Sequence, residues 1–103
     1  MKARISLPRE EVEAFCRRWK IIEMALFGSV LREDFKPSSD IDVLVAFSAD
    51  AGYDLFDLVH MQDELSAMFG RKVDLLTRRG LESSRNYLRK EEILTSAEVV
   101  YGP

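Results

Sequence analysis

The chain has 103 residues, 47% of them hydrophobic and 32% charged, which predicts one soluble domain over residues 1–103 with a single core. Its formal net charge of −3 supplies no basic footprint for direct nucleic-acid binding. With one cysteine (Cys16) there is no internal disulfide, and no apolar run suits a membrane span or a signal peptide, so a cytoplasmic setting is expected.

In chain order, Ser6-Leu7-Pro8 opens a helix, with Pro early in the first turn and Glu10 and Glu11 near its positive end. Val12, Phe15, Cys16 and Trp19 recur at helical spacing, and Arg17, Arg18 and Lys20 lie near the negative end. An apolar strand at 21–27 follows at once and closes on Gly28-Ser29. Residues 33–39 form a connection punctuated by Pro37-Ser38-Ser39, and 40–47 is a second strand. After a loop at 48–52, residues 53–69 predict a helix with Leu55, Leu58, Val59, Leu65, Met68 and Phe69 on one face and Gly70 at its C′ position. His60, with no companion ligand for a zinc site, reads as a helix-surface or partner-contact residue. A strand is expected at 72–77, and a further helix at 80–92 with Leu81, Leu88 and Tyr87 inward. A short strand at 98–101 ends the chain. This order predicts an α+β fold, a small mixed sheet with helices packed against it. The helix between the second and third strands is long enough for a parallel crossover, which would set Asp74 beside Asp40 and Asp42.

The chemistry concentrates between residues 28 and 42. In an extended strand, residues i and i+2 share a face, so Asp40 and Asp42 project together while Ile41 and Val43 turn to the packed side. Two carboxylates so close resist joint ionisation unless a cation lies between them. Mg²⁺, a hard oxygen-liganded ion that binds together with substrate phosphates, answers that need. The plain alternative is an Asp N-cap plus an exposed Asp on an edge strand. Upstream, Gly28 permits close approach of backbone to a phosphate, Ser29 adds a hydroxyl, and Arg32 lies within reach of phosphate oxygens. Asp74 interrupts an otherwise apolar strand, which is costly unless it is paired or metal-bound. Three converging carboxylates would suffice for two metal ions. Asp74 as a strand-end cap is the structural alternative.

Phe27-Gly28-Ser29-Val30-Leu31-Arg32, then Ser38-Ser39-Asp40-Ile41-Asp42-Val43-Leu44-Val45, then Val73-Asp74-Leu75-Leu76 resembles the DNA polymerase β-like nucleotidyltransferase superfamily. More narrowly, it is similar to the minimal nucleotidyltransferase (MNT) proteins, the antitoxin halves of HEPN–MNT toxin–antitoxin pairs. The resemblance implies a polymerase β-like palm fold and Mg²⁺-dependent transfer of AMP from ATP to a hydroxyl. It implies that Asp40, Asp42 and Asp74 are the catalytic and metal-holding residues. Gly28, Ser29 and Arg32 would bind the nucleotide. The implied partner is a HEPN-type RNase toxin accepting AMP on tyrosine, met by exposed surfaces around Tyr53, His60 and Tyr87. A catalytically idle antitoxin and a small-molecule nucleotidyltransferase are the other readings. Many members carry Gly where this chain has Glu33, a departure that bears on triphosphate geometry.

Overall fold

A computed structural model describes residues 8–28 and 40–102. Helix α1 (Arg9–Arg18) starts after Pro8, whose φ of −77° suits the approach to a first helical turn, and buries Val12, Phe15 and Cys16. Lys20 adopts the left-handed region (φ 56°) and turns the chain directly into β1 (Ile21–Phe27). β1 pairs antiparallel with β2 (Ile41–Phe47). The next helix, α2 (Leu55–Phe69), opens on a reciprocal capping box between Asp54 and Asp57 and closes on left-handed Gly70 (φ 68°). It carries the chain across to β3 (Val73–Thr77), which lies parallel to β2. Then come α3 (Arg78–Glu82), α4 (Tyr87–Ser96) and β4 (Glu98–Tyr101), the last antiparallel to β1. The mixed sheet has the order β3-β2-β1-β4.

Both faces of the sheet are covered by helix, but unequally. On one side Met24, Leu26, Ile41, Val43, Val45 and Val73 pack with Val12, Phe15 and Cys16 of α1 and Met61 and Leu65 of α2. On the other, Ala25, Phe27 and Leu44 meet Leu81 and Ile93 in a smaller cluster. Alternation along β2 sorts its side chains between these faces. No helix of the described residues is long and apolar enough to cross a membrane.

The structure corrects several local expectations. The single helix expected at 80–92 is two helices. Thr77 caps α3 by accepting the Gly80 N–H at 3.0 Å, and Asn86 caps α4 by accepting the Arg89 N–H at 3.1 Å. Ser83 and Ser84, which hydrogen-bond locally, fall in the break. Leu81 is buried as expected, but Tyr87 and Leu88 are 81% and 82% exposed and Ile93 takes the inward position. In α2 the buried stripe is centred on Met61 and Leu65, leaving Leu55 and Val59 outside it. Val59 is two residues from Met61, roughly opposite it at 3.6 residues per turn. Tyr53 is not a free surface residue. Its hydroxyl donates to the Trp19 carbonyl at 2.6 Å, and its ring packs edge-on to Trp19 and Phe47. His60 is exposed, as expected.

Cys16 has 0% exposure, and burial, with Glu13 nearby, pushes its thiol from 9.0 up to about 12. The folded state therefore holds this proton more tightly than the unfolded chain does. That stabilising contribution is complete below pH 9 and is lost as pH rises toward 12. Native protein at pH 8 should resist iodoacetamide and react only at its unfolding rate. Rapid alkylation without denaturant would contradict the placement of α1.

Candidate active site

The end of β1 and the starts of β2 and β3 lie at the same end of the sheet, so three segments of chain meet there. Across the antiparallel ladder Phe27 is opposite Asp42, and across the parallel ladder Asp42 is opposite Asp74. Ile41 and Val73, likewise paired, enter the core beneath α1 and α2. Asp42 and Asp74 therefore share the opposite face, and Asp40 joins them by the two-residue period. The parallel crossover expected from the length of α2 is what aligns the two strands.

Gly28 stands where the chain leaves β1, in the left-handed region at φ 76°. A Cβ built there would lie 2.3 Å from Oδ2 of Asp42. Glycine is thus required twice at this position, once for the backbone and once for the space the Asp42 carboxylate occupies. Asp40 is half-buried, and the Lys72 ammonium lies 3.8 Å from its Oδ2. Asp74 is exposed, because β3 is an edge strand. The burial cost expected to force a partner on Asp74 does not arise.

Ser29, Arg32 and Glu33 lie outside the described residues. Among the described residues, no three His, Cys, Asp or Glu side chains are gathered closely enough to hold a metal ion. The backbone brings Asp40, Asp42 and Asp74 to one face and one end of the sheet, and their side chains do not close on a common point. The donor set still has the chemistry a hard divalent cation takes, all carboxylate oxygens, and Gly28 leaves space beside Asp42. Lys72, which the sequence offers only as the start of a strand, is the charged neighbour of this group. A cavity of about 600 Å³ at the other end of β2 and β3, between Phe47, Tyr53, Leu58, Thr77 and Arg78, contains none of these carboxylates.

The model of the nucleotidyltransferase domain family matches residues 9–99. A Methanocaldococcus jannaschii chain, provisionally named protein adenylyltransferase, is 41% identical over 73 residues, which cover 71% of this chain and 72% of that one. The protein adenylyltransferase MntA of Thermococcus cleftensis is 33% identical over 66 residues, 64% of this chain and 65% of its own. Among solved structures, one provisionally described as a minimal nucleotidyltransferase superposes with a TM-score of 0.67 at 32% identity, covering 87% of this chain and 86% of that one. A toxin–antitoxin structure with AMP-PNP superposes with a TM-score of 0.71 at 24% identity, over 94% and 75% of the two chains, a likeness of fold. Sequence match and fold agree over most of the chain, which belongs to the nucleotidyltransferase domain family and, within it, to the minimal nucleotidyltransferases related to MntA.

Proposed function

We propose that this chain, with residues 1–103 acting as one minimal nucleotidyltransferase domain, transfers AMP from ATP to a tyrosine hydroxyl of a HEPN-type RNase and so acts as that toxin's antitoxin. The observation that carries the reading is the pairing of Asp42 with Asp74 across β2 and β3, with Gly28 held against the Asp42 carboxylate. Two features of the relatives support it. The Thermococcus cleftensis MntA is named a protein adenylyltransferase, and one superposable structure is a tri-AMPylated Shewanella oneidensis HEPN toxin with its MNT antitoxin.

In this reading the acceptor oxygen forms a bond to the α-phosphorus while the bond to the β-phosphate oxygen breaks and pyrophosphate leaves. Asp74, exposed at the sheet edge, orients the incoming hydroxyl and accepts its proton on the way to solvent. The Gly28 backbone and the Ser29 hydroxyl hold the β- and γ-phosphates, and Arg32 adds a guanidinium to them. Asp40, Asp42 and Asp74 would be the residues to hold Mg²⁺, which would supply charge neutralisation for the triphosphate and the attacking oxygen. The protein's contribution is chiefly placement and electrostatics.

The test is to mix the purified chain with the HEPN protein encoded beside it, ATP and Mg²⁺, and to measure intact masses. The partner should gain one or more AMP residues, mapping to tyrosine and absent with Asp40→Asn. An unmodified partner that is nevertheless fully inhibited by stoichiometric protein would establish an antitoxin acting by contact. Label appearing on an added small molecule or RNA would establish a different acceptor class.

A further inference from the structure

The group at the sheet end has a fourth corner. β2 and the residue before it present Asp42 and Asp40, two positions apart, and the adjoining segment presents Asp74 and Lys72 at the same interval. Asp42 is opposite Asp74 in register. The Ile41 N–H donates to the Lys72 carbonyl at 3.0 Å, which ties Lys72 beside Asp40, and its ammonium lies 3.8 Å from Asp40 Oδ2. Three corners are acidic and one is basic. Both members of the Lys72–Asp40 pair are open to water, with side chains 70% and 41% exposed, so the pair contributes little to folding. Its consequence is for the charge of the site.

We infer that Lys72 is a substrate-binding residue that serves as the resident counter-charge of Asp40 and passes to the polyphosphate of a bound nucleoside triphosphate. The inference rests on the nucleotidyltransferase reading of this site. Without substrate, the ammonium relieves the repulsion between Asp40 and its neighbour Asp42. A divalent cation arriving at Asp40 displaces it. The flexible four-carbon stem then lets the ammonium move several Å with no backbone change, and a compact cation is a competent phosphate binder. Lys72 thus opposes bare metal and favours metal-bound nucleotide. A side chain that merely supported the fold would not act with opposite signs on the two.

The test compares wild type, Lys72→Met, Lys72→Arg and Asp42→Asn by calorimetry, titrating Mn²⁺ alone and then α,β-methylene ATP with Mg²⁺. Lys72→Met should bind Mn²⁺ about fivefold more tightly, the order of effect one unit charge exerts at about 4 Å in water. It should bind the nucleotide analogue about tenfold more weakly, as loss of a charge-assisted phosphate contact implies. Lys72→Arg should stay near wild type in both titrations. If Lys72→Met leaves either affinity unchanged, or moves both in one direction, the role is overturned. If Asp42→Asn retains wild-type Mn²⁺ binding, the metal site itself fails and the role of Lys72 goes with it. If Asp42→Asn loses Mn²⁺ while Lys72→Met changes nothing, Lys72 alone is refuted.

Discussion

Asp42→Asn should lower AMP transfer to the partner by about 100-fold or more while leaving the protein folded. Asn keeps the shape of the side chain and removes its charge, so the change isolates the electrostatic contribution, and such contributions in preorganised sites are of this size. Asp42 occupies the centre of the group, between Phe27 on β1 and Asp74 on β3, and among the described residues no other carboxylate takes that place in the register. Steady-state transfer measured by mass spectrometry, with circular dichroism to verify folding, gives the comparison. An Asp40→Asn, Asp42→Asn double variant with normal turnover would remove the assignment of both residues.

Gly28→Ala should damage both the fold and the activity. An alanine at φ 76° carries backbone strain of about 1–3 kcal/mol. Its Cβ would also stand 2.3 Å from Asp42 Oδ2, so either the turn or the carboxylate must shift. Displacements of about 1 Å in a catalytic group are enough to reduce rates by about 100-fold. Gly70→Ala provides the control. Gly70 has a similar φ of 68°, yet nothing lies within 4 Å of a Cβ added there. That variant should show a comparable loss of stability in urea denaturation and keep its transfer activity. Equal activities in the two alanine variants would mean that the space beside Asp42 plays no part in catalysis.

Much of the candidate site is legible without coordinates because it depends on short-range geometry. The two-residue period of a strand puts Asp40 and Asp42 on one face and Ile41 and Val43 on the other, whatever the rest of the chain does. The run 21–27 ends at Gly28 in the left-handed conformation, consistent with a glycine placed to turn the chain. The helical spacing of Val12, Phe15 and Cys16 likewise appears as a buried stripe. The orientations of α2 and α4 do not follow from local spacing. Apolar residues surround much of α2, so its period does not say whether Leu55 and Val59 or Met61 and Leu65 meet the sheet. α4 has its own N-cap, Asn86, separate from the Thr77 cap of α3, so its helical phase is set afresh and Tyr87 and Leu88 turn outward.

The family resemblance rests on motifs spread over residues 27–76, whereas the element order, apart from the split of the last helical segment, and the shared face of Asp40 and Asp42 follow from residues close together in the chain. The parallel crossover expected from the length of α2 brings Asp74 beside Asp42, and the tertiary structure adds the register that sets the two opposite, the exposed edge position of Asp74, and Lys72 beside Asp40. It also turned Tyr53 from a surface residue into a partner of Trp19 and Phe47. The Asp42–Asp74, Asp40–Lys72 and Trp19–Tyr53 relations each join residues more than thirty positions apart. Strand register, edge position and packing depend on the whole core that α1 and α2 build against the sheet, and local periodicity carries no record of them.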